Sequence, residues 1–551
     1  MTAVADRPGM GARPASRSRI NLDRRIHPGA AVAFLLVIAA GICFAAVNIL
    51  RDTSHVGETL AIAPFLFLGL ALLIALGFEF VNGFHDTANA VATVIYTHSL
   101  PPIFAVVWSG CFNFLGVVVS TGAVAYSVIT LLPVDLILQV GSAGGYAMIF
   151  ALLIAAVVWN LGTWWLGLPN SSSHALIGSI LGVGLANQLM ASGPGGTSGV
   201  EWGQARQVLL ALLVSPAIGF AGAFLLLFVM KRIVRNERLY QEPKDQNPPP
   251  PIIRALLIFT CTAVSFAHGG NDGQKGMGLI MLILIGVAPT AYALNRTMPD
   301  SSAPAFVQLT QRVEPVFASH AAGRTVAPES ARQVVAAALR AHSVDKPEVF
   351  AALGVIAPDI AQRVKAYGGV RHVPAAATKN LRNDMYLVYD ALRLETKDKA
   401  ATEKSFPGGQ AKLLSAYRDL LEKGTRFIPT WVKVTVALAL GLGTMVGWKR
   451  IVVTVGERIG KIHLTYGMGA SAELVAAATI LLAQFKGMPV STTHILSSGV
   501  AGAAAANGSG LQWGTVRSIG MAWVLTLPAA MAIAAGLYWL FLHLVRAAGM
   551  A

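Results

Sequence analysis

Long apolar runs dominate this sequence, and their length limits the folds that it can adopt. Many of them extend for roughly 17 to 25 residues, the length at which an α-helix crosses about 30 Å of hydrocarbon. We place the crossings at 30–50, 62–98, 103–130, 145–166, 172–190, 207–230, 255–295, 429–447, 468–486, 490–508 and 516–545. Charged residues make up only 13% of the chain, about half the fraction found in soluble domains. The sequence therefore predicts an all-α polytopic membrane protein.

Three basic clusters predict its orientation, because Lys and Arg favour the cytoplasmic ends of membrane spans. They lie at 1–29, at 231–254 and at 449–461. If all three face the cytoplasm, an even number of crossings separates each pair. The N-terminus is then cytoplasmic, 30–61 is an extra helix with its loop, and the C-terminus is periplasmic. The formal net charge of +15 has the same explanation, so we predict no nucleic-acid partner.

The segment 296–428 falls outside the cytoplasm in this count. It contains nineteen Lys and Arg against thirteen Asp and Glu, but loops longer than about 60 residues are largely exempt from the charge rule. Helical patterns such as ESARQVVAAALRAH and QAKLLSAYRDLLEKG indicate a soluble, helical periplasmic insertion. It contains no recognisable chemical motif.

Three pairs of short strings match between the two halves of the chain. GLPNSSSH at 167–174 matches GMPVSTTH at 487–494 without a gap. EWGQAR at 201–206 matches QWGTVR at 512–517, and NGFHDTANA at 82–90 lies against HGGNDGQKG at 268–276. The order of the three matches is the same in both halves, which indicates an internal repeat.

The first repeat covers 62–230, and the second begins at 255–295 and resumes at 429–551. Each contains about five crossings, and an odd number means that the second repeat enters the membrane from the opposite face. The glycine-rich polar strings at 82–90 and 268–276 predict interrupted helices at equivalent positions. Inverted repeats with broken helices are typical of secondary transporters, whose binding sites lie near the midplane between the repeats.

Charged residues inside the membrane need a reason, because each costs about 2.5 to 3.5 kcal/mol on insertion scales. The residues concerned are Glu79, Asp86, Asp272, Lys275 and Glu473. Ion pairs that only fix helix packing are the alternative to a functional role. Asp86 and Asp272 occupy equivalent positions of the repeat, which favours function. Glu79 and Glu473 have no counterpart in the other repeat, and both interpretations stay open for them.

Two hydroxyl triplets follow Gly-x-Pro turns and precede new helices. They are Ser171, Ser172 and Ser173 in the first repeat and Ser491, Thr492 and Thr493 in the second. One hydroxyl is enough to cap a helix, so three in each repeat indicate a further role. Helix N-termini with hydroxyl donors suit a tetrahedral oxyanion. Nearby aspartates would repel that anion unless cations or protons bind with it. This requirement couples the binding of the anion to the binding of cations or protons.

An enzyme is the other interpretation of the triplets, because His174 and His494 follow them as in a serine–histidine hydrolase. The chain has no GxSxG turn, and duplication of both partners fits a binding site better. We therefore predict no catalytic residues, no metal site and no cofactor.

The strings NGFHDTANAVATVIYT, SFAHGGNDGQKG, GLPNSSSH and GMPVSTTH strongly resemble the PiT family of inorganic phosphate transporters. They are most similar to the low-affinity phosphate–proton symporters of the bacterial inner membrane. The resemblance covers almost the whole chain after residue 60, including the position of the insertion.

The resemblance implies import of phosphate with protons, in part as a metal–hydrogenphosphate complex with a divalent cation such as Mg²⁺. It assigns phosphate binding to the two hydroxyl triplets. It assigns the coupling ions to Asp86, Asn89, Asn271 and Asp272. Members of the family are often dimers, so a homodimer is allowed, although nothing in these residues requires one.

One residue departs from the sodium-coupled relatives, which tend to have asparagine where this chain has Lys275. Its ammonium group lies three residues after Asp272, on the same face if the helix continues, and can replace a sodium ion permanently. Asp86 has no such built-in cation, and burial favours its neutral form. We therefore predict that Asp86 binds the proton, with Glu473 as the second candidate.

Two other functions remain open at this stage. Donors at helix ends do not by themselves distinguish phosphate from sulfate or another tetrahedral oxyanion. A protonated phosphate also needs an acceptor, which Asp86 provides, and this favours phosphate. A membrane sensor with an external ligand-binding domain is the more distant alternative, because it gives the duplicated motifs no purpose.

Overall fold

The computed structural model describes residues 22, 27–57, 62–132, 142–190, 199–243, 246–341 and 343–548. Most of the predicted basic N-terminus and residues 244–245 of the predicted linker lie outside these ranges. The described chain is almost entirely helical, and eight of its helices are long and apolar enough to cross a membrane. The predicted class, an all-α polytopic membrane protein, is confirmed.

The described residues of the first half form eight α-helices. They are α1 (Pro28–His55), α2 (Ile62–Asp86), α3 (Ala88–Tyr96), α4 (Pro102–Val119), α5 (Ala123–Ile129), α6 (Ala143–Trp165), α7 (Ser172–Met190) and α8 (Trp202–Ile233). The predicted crossing 103–130 is two helices, α4 and α5, because Gly122 between them adopts a φ of +89°. Such a left-handed conformation ends the helical path and is open to glycine at little cost.

The second half begins with α9 (Pro251–Val287) and α10 (Pro289–Tyr292). The insertion follows as α11 (Ser302–His320), α12 (Pro328–Arg340), α13 (Pro347–Ala366), α14 (Ala375–Glu395), α15 (Lys399–Ser405) and α16 (Gln410–Thr425). The chain then forms α17 (Thr430–Thr444), α18 (Lys449–Val453), α19 (Tyr466–Phe485), α20 (Thr492–Asn507) and α21 (Trp513–Ala547). Several helices, α4 and α9 among them, have proline in the first turn, where its missing N–H costs nothing.

The number of candidate spans is smaller than the eleven predicted crossings. Helix α17 is long and apolar enough to cross a membrane only when joined to α16, in a pair bent by 71°. Helices α7 and α20, which begin at the hydroxyl triplets, are not among the eight. The 16 residues of α20 rise about 24 Å, less than the hydrocarbon thickness of about 30 Å.

The predicted interruption at HGGNDGQKG is wrong, because α9 is continuous from Pro251 to Val287. The glycines of this string provide close contact between helices instead. A Cβ on Gly269 would lie 2.1 Å from the carbonyl oxygen of Asn113 in α4. At NGFHDTANA the helical path is interrupted by a single residue, Thr87, between α2 and α3.

The helix contacts of the two halves mirror each other. Helix α4 packs on α9 while α17 packs on α2, and α4 and α17 contact each other. Helix α7 packs on α21, and α20 packs on α8. Each triplet-bearing helix therefore lies against the long terminal helix of the other half. The opposite orientation of the two repeats in the membrane stays a prediction.

The insertion has a hydrophobic core of its own, built from residues of α11 to α16 such as Phe306, Leu353 and Tyr417. Helix α1 is tied to the junction between the insertion and the membrane helices. Tyr292, before the insertion, donates to Asp52 Oδ2 at 2.9 Å, and Trp431, after it, donates to the same oxygen at 3.0 Å. The extra N-terminal helix thus fastens both ends of the insertion.

Candidate functional site

The first hydroxyl of each triplet caps a helix. Ser171 Oγ accepts a hydrogen bond from the backbone N–H of His174 at 3.2 Å, and Ser491 Oγ accepts one from His494 at 3.1 Å. Both bonds satisfy N–H groups that have no partner inside the helix. Ser171 and Ser491, predicted to bind phosphate, therefore hold the helix ends in place. Ser173 also has a partner in the protein, because it donates to the backbone oxygen of Val490 at 2.9 Å.

Three hydroxyls, one from the first triplet and two from the second, meet at Asp86. Ser172 Oγ lies 3.5 Å from Asp86 Oδ2, and Thr492 Oγ1 lies 3.4 Å from the same oxygen. Thr493 donates to Asp86 Oδ1. These four side chains are at most 2% exposed. Residues more than 300 positions apart in the sequence thus form one buried polar site.

Asp272 joins the site from α9. Its Oδ2 lies 3.5 Å from Ser172 Oγ, while its Oδ1 lies 2.8 Å from Lys275 Nζ. Lys275 is fully buried and also donates to Ser173 Oγ. Because α9 is continuous here, the i,i+3 spacing of Asp272 and Lys275 brings the two charges together.

The two predicted asparagines occupy different places. Asn89 Nδ2 lies 3.1 Å from Thr493 Oγ1 and 3.5 Å from Asp86 Oδ1, inside the site. Asn271 donates to the backbone oxygen of Met488 at 3.2 Å. Asn271 therefore holds the turn before the second triplet, and its buried Oδ1 has no hydrogen-bond partner.

Glu473 lies away from this site. Its Oε2 accepts a hydrogen bond from Thr260 at 2.6 Å. Thr260 precedes Asp272 by twelve residues of the same helix, which corresponds to about 18 Å along the axis. Glu473 is buried, as expected, but it does not contact the residues around Asp86.

The sequence left a ligand or proton-carrier role open for His268, and the structure places this residue at the centre of the site. Its Nδ1 lies 2.7 Å from Asn113 Oδ1, an atom that only accepts, so Nδ1 is the donor. Its Nε2 lies 3.5 Å from Asp86 Oδ2 and 3.7 Å from Asp272 Oδ2. Asp86, His268 and Asp272 are close enough to hold one metal ion. The sequence signal for His268 as a site residue was its spacing of four residues from Asp272, about one helical turn.

Asn82 and Glu79 extend the polar network beneath the triplets. Ser172 donates to Asn82 Oδ1 at 2.7 Å, and Asn82 Nδ2 donates to Glu79 Oε2 at 3.3 Å. Glu79 packs against Gly276, because a Cβ on Gly276 would lie 2.3 Å from Glu79 Cγ. The network connects a third buried carboxyl group, that of Glu79, to the site through the Asn82 amide.

The electrostatic balance of the site requires a further positive charge. Asp86 and Asp272 are both ionisable acids in a buried space, and Lys275 is the fixed cation among the described residues that pairs with them. His85 Nδ1 also lies 3.8 Å from Asp86 Oδ1. With both acids ionised and both histidines neutral, the group has a net charge of −1. A proton or a cation bound near Asp86 would neutralise it, and such neutralisation favours burial strongly.

The chain is similar to a known protein family. A profile described as "Phosphate transporter family" matches residues 82–534. The chain belongs to the phosphate transporter family. The matched region begins at Asn82, and it contains both aspartates, both triplets and the insertion of this family member.

Several relatives are similar over nearly their whole length. The "Low-affinity inorganic phosphate transporter PitA" of Escherichia coli (strain K12) is 41% identical over 504 residues, covering 87% of this chain and 98% of that protein. PitB of the same strain is 39% identical over 506 residues, with the same coverage. The "Probable low-affinity inorganic phosphate transporter" of Bacillus subtilis (strain 168) is 28% identical over 472 residues, covering 86% of this chain and 96% of that protein.

Proposed function

We propose that this chain imports inorganic phosphate across the bacterial inner membrane together with protons. Membership of the phosphate transporter family and the names of the E. coli relatives support phosphate as the substrate. The observation on which the mechanism rests is the meeting of both hydroxyl triplets at Asp86, between the two halves of the chain.

Asp86 and the phosphate would compete for the same donors. Thr492 and Thr493 donate to the Asp86 carboxylate, while Ser172 lies 3.5 Å from it and donates its single hydroxyl proton to Asn82. Hydrogen bonds to an ionised acceptor are about twice as strong as bonds to a neutral one. Protonation of Asp86 therefore weakens its hold on the hydroxyls and frees them for the oxyanion. Proton and phosphate then bind together, which is the requirement for symport.

Lys275 provides the permanent positive charge in this scheme. It pairs with Asp272 at 2.8 Å and binds Ser173 Oγ, so it connects one aspartate to the first triplet. Asp272 then needs no sodium ion as its counter-ion. This leaves Asp86 and the neighbouring Nε2 of His268 as the place where a transported proton is held.

A divalent cation can accompany the phosphate as part of the cargo. Carboxylate oxygens are the ligands that Mg²⁺ prefers, and Asp86 and Asp272 both present one beside Ser172. A metal–hydrogenphosphate complex would thus have oxygen ligands on its metal side and hydroxyl donors on its phosphate side. We expect Mg²⁺ to enter in proportion to phosphate when it is supplied.

Uptake of labelled phosphate into proteoliposomes tests the proposal. We expect accumulation driven by an imposed pH gradient, faster with Mg²⁺ than without it, indifferent to Na⁺, and unaffected by excess sulfate. Strong competition by sulfate would favour a general oxyanion transporter. Accumulation that requires a Na⁺ gradient and ignores pH would contradict proton symport.

Lys275→Asn should change the coupling ion. The substitution leaves the buried carboxylate of Asp272 without its cation, and a lost partner of a buried charge costs about 3 to 5 kcal/mol. We expect proton-driven uptake to fall at least tenfold and to recover in part when Na⁺ is added. The measurement is uptake with and without Na⁺. A variant that stays proton-driven and indifferent to Na⁺, with unchanged phosphate affinity, would remove Lys275 from this role.

A further inference from the structure

Glu79 is a buried carboxyl group of α2 that has no role in the transport scheme so far. Its side chain is fully buried, and its Oε1 has no hydrogen-bond partner. A Cβ on Gly276 would lie 2.4 Å from this oxygen, so Oε1 faces α9. The other oxygen, Oε2, accepts a hydrogen bond from Asn82 at 3.3 Å. Glu79 thus has one neutral donor, and no ion pair found among the described residues includes it.

This environment favours the protonated form of Glu79. The charged groups that act on it are Asp272, Lys275 and His268 of α9. Asp272 and Lys275 pair with each other at 2.8 Å, so this pair does not supply Glu79 with a counter-ion. An ionised carboxylate without one is costly to bury, and such a group becomes neutral instead. Bound phosphate would add negative charge nearby, so Glu79 keeps its proton in the loaded state as well.

The amide of Asn82 connects Glu79 to the transport site. Its Nδ2 donates to Glu79 Oε2, and its Oδ1 accepts from Ser172 Oγ at 2.7 Å. Asn82 is fully buried as well. Ser172 is the hydroxyl of the first triplet that lies 3.5 Å from both Asp86 Oδ2 and Asp272 Oδ2. In this arrangement the single hydroxyl proton of Ser172 is directed at Asn82.

Phosphate at Ser172 requires a different arrangement of these three side chains. When Ser172 donates its proton to a phosphate oxygen, Asn82 Oδ1 loses its donor, and a buried oxygen without a donor is costly. Rotation of the amide by half a turn removes this cost, because Nδ2 then donates to Ser172 Oγ. The same rotation turns Oδ1 towards Glu79. The carboxyl group must then donate a hydrogen bond instead of accepting one.

A protonated carboxyl group can take part in both arrangements, and an ionised one cannot. A carboxylate only accepts hydrogen bonds, whereas a carboxylic acid both accepts and donates. In the first arrangement the carbonyl oxygen of Glu79 accepts from Asn82 Nδ2. In the second, the carboxyl group has rotated as well, and its hydroxyl donates to Asn82 Oδ1. Glutamine has an acceptor and a donor at the same positions, whereas methionine, of similar length, cannot donate.

We propose that Glu79 is a positioning residue that keeps its proton throughout transport and, through Asn82, releases the Ser172 hydroxyl for phosphate. Glu79 and Asn82 rotate, and no covalent bond of either side chain breaks. The transported proton stays the one at Asp86, because Glu79 does not change its charge. The inference rests on the proposed function, since it requires phosphate at Ser172.

Equilibrium binding of labelled phosphate to the purified full-length protein is the first test. We expect Glu79→Gln to bind phosphate as tightly as the wild type. Glu79→Met should bind it about tenfold more weakly, because the rotated Asn82 Oδ1 has no donor. The matched control is Glu329→Met, at an exposed glutamate of α12, which should keep the wild-type affinity. A side chain needed only for packing would be replaced as well by methionine as by glutamine.

Infrared spectra of the same samples show the protonation of Glu79. A protonated carboxyl group has a C=O band that an ionised one lacks, and the difference between the wild type and Glu79→Gln identifies the band of Glu79. We expect this band with and without phosphate. It should shift when phosphate binds, because the hydroxyl then donates to Asn82. Asn82→Leu should keep the band and lose the shift.

The outcomes separate the inference from the proposed function. A Glu79 band that is absent, or that appears only with phosphate, would overturn the inference and leave the proposed function intact. Equal phosphate affinities for Glu79→Met and Glu79→Gln would do the same. The infrared comparison of the wild type with Glu79→Gln still decides if Glu79→Met does not fold. If Ser172→Ala binds phosphate as tightly as the wild type, the proposed function fails instead.

Discussion

Asp86→Asn should abolish uphill accumulation of phosphate in proteoliposomes under a pH gradient. Asparagine has nearly the size of aspartate but cannot bind a proton, and it lacks the charge that now attracts Thr493, Thr492 and Ser172. The variant resembles the protonated state of Asp86. We therefore expect exchange of phosphate between equal concentrations to continue, and to lose its dependence on pH.

The control is Asp419→Asn, which removes a carboxylate that is 53% exposed on the insertion. This variant should accumulate phosphate as the wild type does. Gradient-driven accumulation at the wild-type rate by Asp86→Asn would exclude Asp86 from proton coupling, and Glu473 would then be the next carboxyl group to test.

Gly83→Ala should destabilise the protein, whereas Gly77→Ala in the same helix should not. A Cβ on Gly83 would lie 2.2 Å from the carbonyl oxygen of Leu440, so α2 and α17 would have to separate. Such overpacking costs about 1 to 3 kcal/mol. Nothing lies within 4 Å of a Cβ on Gly77, where alanine gains about 0.5 to 1 kcal/mol of helix stability.

Melting temperatures of the two variants in one detergent provide the measurement. We expect a decrease for Gly83→Ala and no change or an increase for Gly77→Ala. Gly269→Ala should resemble Gly83→Ala, because its Cβ would lie 2.1 Å from Asn113 O. Equal melting temperatures for Gly83→Ala and Gly77→Ala would show that α2 and α17 do not pack this closely.

The sequence predicted the polar side chains of the site better than the path of the backbone. The duplicated strings GLPNSSSH and GMPVSTTH located the helix starts at Ser172 and Thr492, because both strings lie next to long apolar runs. The main error was the predicted interruption of the helix at the glycines of HGGNDGQKG. A glycine permits either a break or a close contact, and the carbonyl oxygen that decides between them belongs to α4, far away in the sequence.

Other parts of the site depend on contacts that no local pattern reveals. The orientation of His268 is set by Asn113, which lies in a different helix and has no motif around it. The use of Ser171 and Ser491 as caps follows from the exact position at which each helix begins.

The central claim is that one phosphate is bound between the two triplets, one from each half of the chain. A crystal structure of the protein with arsenate, whose arsenic atom scatters X-rays strongly, tests it most directly. We predict an arsenic peak within hydrogen-bonding reach of both Ser172 Oγ and Thr493 Oγ1. Saturating arsenate without a peak at that position, or with a separate peak at each triplet, would contradict the account.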